Sequence, residues 1–532
     1  MKHMSRLFVS FALFALVSAS AGAQSPTELR AAHAYEAAVK AGPLALHAFL
    51  DQFPKGADLH VHLGGAVYAE TFIKDAAEDG LCVDKAALAL VKPPCTGDLI
   101  PAENLSGNID RQTQLLYDRL IDRLSIRSFV PSTGWSTHDQ FFSVFDRLDA
   151  LKDHTGEWVD EVAVRAAEQN QQYLELMVTP PFGHALQIAN AGGWNAASAS
   201  GEREPLQHFR QQLLDRGLRD EVAADREQVR AAEAERRRLE HCGTAQAAPA
   251  CQVEIRFIYQ VLRDFSPEDV FAQTLLGFET VQAAMDAHDD TWVGINFVRP
   301  EDDFVAMRDY ALHMKMVDYL HSAYPKVHIT LHAGELALGL VSPEGLRFHI
   351  RQAVDDGHAE RIGHGVDLMY EDNAEALLKE MAQKHVMVEI NLSSNEGILG
   401  IKGAEHPFPL YRAAHVPVAL STDDEGVSRI DLTHEYVRAA LDYHLGYHDL
   451  KQLARTGMEH NFLPGASLWA EPDVFTSIVE ACRGQLPGSD SPTASCKTFL
   501  ERSQKAAAQW EQERRFRVFE SQFQAPAEGS HN

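Results

Sequence analysis

The sequence predicts an α/β fold, a closed (β/α)8 TIM barrel, on three observations. Eight short runs of strand character recur along the chain. Long amphipathic helical segments separate most of them, the alternation of parallel βα units. Histidines and carboxylates gather at the C-terminal ends of several runs, where a barrel carries its reactive loops. The 532 residues suffice for one large domain with insertions, and 45% hydrophobic residues argue against disorder. With 48 Lys+Arg against 76 Asp+Glu the net charge is −28, which repels phosphate backbones and anionic lipid, so neither nucleic acid nor a membrane surface is the expected partner.

The elements follow in order. Residues 1–23 read as a cleavable signal peptide: Lys2 and Arg6 are basic, 7–17 is apolar but too short to span a bilayer, and Ala21-Gly22-Ala23 is a small-residue cleavage site. The expectation is a secreted or periplasmic protein. Residues 24–53 form a helical extension, with Ala and Leu at helical spacing over 27–53. The barrel occupies 54–480, its strands expected at 57–63, 172–178, 253–261, 292–298, 326–332, 361–363, 386–392 and 416–421. Two stretches exceed plain connections: an insertion after the first strand, about 82–131, and a charged helical insertion, about 204–251, read as a solvated helix or hairpin. Residues 481–532 form a helical tail that frays into polar residues.

All six cysteines lie beyond the signal and fall as neighbours: Cys82 with Cys95, Cys242 with Cys251, Cys482 with Cys496. Short loops close at the lowest entropic cost and an oxidising compartment lets the bonds persist, so three local disulfides are expected, each stapling a peripheral loop. No Cys-x-x-Cys occurs to support a metal cluster.

The chemistry sits at the strand ends. His60-Val61-His62 puts two imidazoles on one face of the first strand. Strand five ends His332-Ala333-Gly334-Glu335, strand six Ile362-Gly363-His364-Gly365, and strand eight Ser421-Thr422-Asp423-Asp424. Three neutral imidazoles and a carboxylate on one rim suit a single Zn²⁺ with a coordination position left open, the mark of a catalytic centre.

These residues carry a resemblance. PKGADLHVHL at 54–63, HAGE at 332–335, GHG at 363–365 and TDD at 422–424 resemble the adenosine deaminase family of metal-dependent barrels, in order and spacing from about residue 53 to 425. The signal, cysteines, N-terminal helix and first insertion further resemble its secreted, growth-factor-related branch. The resemblance implies Zn²⁺ on His60, His62, His332 and Asp423, with Glu335 as proton shuttle. It implies His364 as the group that orients and activates the attacking hydroxide, Asp424 as a hydrogen-bond partner of a purine ring nitrogen, and a homodimer through the N-terminal helix. A partly desolvated Glu335 would hold the proton that attack on C6 of adenine requires at N1. The reaction implied is hydrolysis of adenosine, and of 2′-deoxyadenosine, to the inosine products and ammonia.

Other readings stand beside this one. His364 as a further ligand would make a two-metal barrel, which usually needs a bridging lysine, and 292–298 holds none. Many relatives carry an Asp after the His-x-His motif that reaches the sugar, whereas Gly64-Gly65 stand here. After strand four, Arg299 could favour an anionic substrate such as a nucleotide. Phe141, Phe142 and Phe145 resemble the family's apolar wall beside the purine; helix core explains them equally. Adenine, an N6-modified adenosine or a nucleotide are the rival substrates, and a non-catalytic nucleoside-binding or signalling protein is the rival of another class, against which Glu335 speaks.

Overall fold

A computed structural model describes residues 25–107 and 110–523. The expected signal segment lies outside them. Eight strands form one parallel sheet: β1 (Gly56–His62), then, past a small separate sheet of β2 (Cys82–Asp84), β3 (Ala89–Val91) and β4 (Leu99–Pro101), the strands β5 (Gln171–Val178), β6 (Glu254–Leu262), β7 (Trp292–Val298), β8 (His328–Ala333), β9 (Arg361–His364), β10 (Met387–Ile390) and β11 (Val418–Leu420). Each pairs with the next in that order, β1 with β5. The ring closes where Val61 bridges Asp423 in parallel, His62 N donating to Asp423 O at 3.2 Å and Asp423 N to His60 O at 2.9 Å. Closure therefore runs through the site residues themselves. Asp58 reinforces it by accepting from Thr422 N and Oγ1 at 3.1 and 2.8 Å.

The strands β5 and β7 are buried along their whole lengths, as barrel staves covered by helices must be. Long helices such as Pro267–Asp286 and Phe304–Ala323 bury Phe271, Leu275, Phe278, Met314 and Val317 against them.

The flanking regions depart in detail from expectation. The N-terminal extension is two helices, Pro26–Ala41 and Pro43–Asp51, because Gly42 sits at φ +109° and Pro43 opens the second. In the described part of the first insertion, the antiparallel β2–β3–β4 sheet and the helix Arg111–Arg123 share a small core of Val83, Leu90, Leu120 and Ile121. The second is a pair of helices, Arg203–Asp215 and Val222–Leu239, that buries Leu206, Phe209, Leu213 and Val229. The tail helix Gln504–Ser521 buries Trp510, Phe516 and Phe519, with Phe519 edge-on to Phe49 at 5.3 Å; the polar end where fraying is expected, 524–532, lies outside the described residues. Its charges look solvated in the sequence but are paired inside, Glu513 with Arg455 at 2.7 Å and Glu520 with Lys451 at 2.6 Å. Disulfides join Cys82–Cys95, Cys242–Cys251 and Cys482–Cys496, the three local pairs expected.

Candidate active site

The C-terminal ends of β1, β8, β9 and β11 bring the predicted residues together. His60, His62, His332 and Asp423 present one ligand atom each, all within 4.8 Å of one another. The Nε2 atoms of His62 and His332 lie 3.1 Å apart, and Asp423 Oδ1 lies 3.5 and 3.2 Å from the Nε2 atoms of His60 and His62.

The opposite ring nitrogens explain this convergence. His60 Nδ1 meets Glu389 Oε2 at 2.6 Å, His62 Nδ1 meets Gln260 Oε1 at 3.0 Å, and His332 Nδ1 meets Asn296 Oδ1 at 2.9 Å. An oxygen acceptor at each Nδ1 puts the proton there and leaves each Nε2 a lone pair. His60 Nε2 is buried without a hydrogen-bond partner. Lone pairs and a carboxylate oxygen so close repel unless a cation lies among them, so the donor set fits a metal ion with three nitrogens and one oxygen. Ser394 Oγ donates to Asp423 Oδ2 at 2.6 Å, aiming Oδ1 at the cluster. Glu389 is itself gripped by Arg361 Nε at 2.6 Å; burial opposes its charge, but Arg361 and His60 outweigh it and hold the carboxyl below the usual range.

Sequence reading missed Glu389, Gln260 and Asn296. Asn296 is the one polar side chain of WVGINFV, which is a usable signal, whereas Glu389 and Gln260 stand in runs with other polar residues (VMVEINL, VEIRFIYQV) and do not stand out.

The backbone is strained where these groups emerge. Asp423 and His364 adopt φ of +62° and +72°, conformations that cost non-glycine residues about 1–3 kcal/mol each and persist only where the surroundings impose them. Gly363 lets β9 pass beside His60, since a Cβ there would lie 2.6 Å from the imidazole Cε1.

Glu335, 6% exposed, follows β8. Its N–H and that of Gly334 donate to Glu301 at 2.8 and 3.0 Å, and Glu301 is anchored by His349 Nδ1 at 2.5 Å, so the loop is clamped from behind. Glu335 Oε1 has no hydrogen-bond partner and lies 3.6 Å from His364 Nδ1. Burial, with the charges of Asp423 and Glu301 adding to it, holds the Glu335 carboxyl well above its ordinary range. Burial also pushes Asp424 well above, with Asp423 adding to it against His62. Its Oδ1 is likewise unpartnered and packs on Gly65, where a Cβ would lie 1.5 Å away. Gly65 makes room for Asp424, whereas a Cβ on Gly64 would meet nothing within 4 Å.

A cavity of about 590 Å³ opens over these groups, ample for a small ligand. Phe141, Phe142 and Phe145 line one wall, and Trp158, Met177 and Leu262 also face it. The aromatic trio is both: Phe141 is core, yet all three reach the cavity. Arg299, at φ +84°, lines it too, with Nε 3.3 Å from Asp264.

Residues 238–468 match the family model described as adenosine deaminase. Over that stretch, which carries β6 to β11, the chain is similar to the adenosine deaminase family. Among curated relatives, the chain is 36% identical over 137 residues to adenosine deaminase of Escherichia coli (strain SMS-3-5 / SECEC), covering 26% of this chain and 38% of that one. It is 33% identical over 135 residues to adenosine deaminase of Clostridium perfringens, covering 25% and 37%. The aligned stretch thus spans well under half the length of these relatives. Among solved structures, the N6-mAMP deaminase of Arabidopsis superposes with a TM-score of 0.50 at 21% identity, covering 78% of this chain and 96% of that one. Arabidopsis ADAL complexed with GMP gives 0.50 at 20%, covering 78% and 94%. At such identities the likeness concerns the fold.

Proposed function

We propose that this chain is a zinc hydrolase that deaminates adenosine and 2′-deoxyadenosine to inosine and 2′-deoxyinosine, releasing ammonia. The observation that carries the reading is the meeting of the His60, His62, His332 and Asp423 donor set with a buried Glu335, whose carboxyl oxygen has no hydrogen-bond partner, beside one cavity. A single Zn²⁺ held by these four residues would supply a water activated near neutral pH. Protonated Glu335 delivers its proton to N1 of the purine, neutralising the charge that attack at C6 places on the ring; left as a carboxylate, it takes the proton of the new C6 hydroxyl and passes it to the departing amine, which leaves as ammonia. Asp424, held protonated, donates to a ring nitrogen that can only accept. His364 positions the attacking water, and the phenylalanine wall excludes bulk solvent from the base.

The rim favours a nucleoside over a nucleotide. Asp146, Asp149 and Asp153 are exposed at the cavity edge. The two cations lining it already have carboxylate partners: Lys152 Nζ lies 3.2 Å from Asp79, and Arg299 Nε 3.3 Å from Asp264. A 5′-phosphate would meet net negative charge there. The basic start, apolar run and cleavage site of residues 1–23, together with three disulfides, support export to an oxidising compartment.

A panel of adenosine, 2′-deoxyadenosine, adenine, N6-methyladenosine and AMP, followed by loss of the adenine absorbance band with and without chelator, tests the reading. Adenosine is expected to turn over fastest, chelator to abolish turnover, and AMP to lag in kcat/KM by at least about tenfold, the worth of roughly 1.4 kcal/mol of repulsion. Equal use of AMP would overturn the nucleoside assignment, and binding of adenosine without turnover would make the chain a binder.

A further inference from the structure

We propose that Asn395, oriented by His406, fixes His364 in the tautomer with its proton on Nε2, so that His364 presents a hydrogen-bond donor on the side of Asp423. The catalytic consequence rests on the deaminase reading above; the wiring stands on geometry alone.

The chain of bonds begins at a group whose role is not negotiable. Phe408 N, a backbone donor, lies 3.1 Å from His406 Nδ1, so that nitrogen must carry a lone pair. Burial pushes His406 down to about 3, so the ring is neutral and its only proton sits on Nε2. That N–H donates to Asn395 Oδ1 at 3.0 Å. The oxygen being so engaged, the amide nitrogen of Asn395 faces His364 and donates to its Nδ1 at 2.9 Å. The amide of Asn391 offers a second donor to the same atom at 3.4 Å. Turning Asn395 over would set its NH₂ against the His406 N–H, and moving the His406 proton to Nδ1 would set it against the Phe408 N–H. Each alternative buries two donors face to face.

With Nδ1 accepting, neutral His364 carries its proton on Nε2. That atom is buried, has no hydrogen-bond partner, and lies 3.9 Å from Asp423 Oδ2, inside the cluster. His406 is 2% exposed and Asn395 and His364 are fully buried, so water does not compete for any link. Sequence position hides the relay: Asn395 sits on the helix Leu392–Leu399 that follows β10, and His406 in the loop beyond it. A ring that donates from Nε2 orients the oxygen of an attacking water through that water's lone pair and cannot also take its proton there. Proton transfer then falls to Glu335. Asn395 and His406 are positioning residues.

The test is nitrogen NMR of the full-length, zinc-loaded protein labelled at histidine, with the His364 signals identified by their loss in His364→Gln. Wild type is expected to show a protonated Nε2 and a bare Nδ1 on His364. Asn395→Asp keeps the shape but accepts from both rings and should draw the His364 proton to Nδ1, lowering kcat about 10- to 100-fold with little change in KM. His406→Leu, which frees the amide, should lose as much; His406→Gln, which can accept from Phe408 N–H and donate to Asn395, should recover most of it. A wild-type ring protonated at Nδ1, or Asn395→Asp with unaltered signals and unaltered kcat, would overturn the proposal. The wild-type spectrum decides the tautomer even if a variant fails to fold, and it does so whether or not any purine is turned over.

Discussion

Glu335→Gln isolates the proton that the reaction needs. The substitution preserves the shape of a side chain that is 6% exposed and leaves the clamp intact, because Glu301 holds the loop through the backbone N–H groups of residues 334 and 335. Folding and substrate affinity should therefore be untouched. A positioned general acid contributes about 10²–10⁴-fold, or roughly 3–5 kcal/mol at 1.36 kcal/mol per tenfold. Here the upper half of that range is expected, because Oε1 is buried without a hydrogen-bond partner. Steady-state kinetics with adenosine should show kcat down by about 10³-fold at nearly constant KM. The pH profile adds a sign. A general acid works while protonated, and burial raises Glu335 well above the ordinary carboxylate range. Activity should persist through neutral pH and fall on the alkaline side, and in the Gln variant that alkaline limb should vanish from the residual rate. A variant keeping more than about a tenth of the wild-type kcat, with its alkaline limb unchanged, would refute the shuttle.

Further outcomes follow from the same geometry. Gly65→Ala would put a Cβ 1.5 Å from Asp424 Oδ1, so Asp424 must swing away; kcat/KM should drop by about 10²-fold while circular dichroism stays unchanged. Chelation should lower the melting temperature as well as the activity, since it leaves the His62 and His332 nitrogens facing at 3.1 Å, and added Zn²⁺ should restore both. Replacing Cys482 and Cys496 by Ser opens a loop with a sequence separation of 14 and should cost about 3 kcal/mol in denaturant titration with kcat preserved. Burial raises Asp225 to about 7, so the folded state binds its proton more tightly than the unfolded chain does. That contribution is present at acid pH and lost as pH rises from about 4 towards 7, and Asp225→Asn should flatten the slope of stability over that window.

Much of this was legible in the sequence because a barrel announces itself locally. Each stave is a short apolar run between helices, and the four ligands stand at run ends, so His60, His62, His332 and Asp423 could be gathered before any coordinates. The strand bounds moved by a few residues: the last stave is Val418–Leu420 where 416–421 was expected, since pairing to β10 covers only its centre. What stayed hidden depends on contacts between distant parts of the chain. Asn395 and His406 matter because they meet behind His364, and nothing in their local pattern says so. Nothing in the local pattern of the tail helix shows that Glu513 and Glu520 are buried, and only the arrival of Arg455 and Lys451 from another helix makes burying them tolerable. Nor does the pair Gly64-Gly65 show in sequence that its second glycine is the space that Asp424 fills.

The most direct measurement titrates metal-free protein with Zn²⁺ while following inosine formation from adenosine. The account predicts no turnover at the start, a linear rise, and a plateau at a single equivalent per chain, with His332→Ala failing to reach it. Full activity before any zinc is added, or zinc bound at these residues with adenosine left intact, would contradict it.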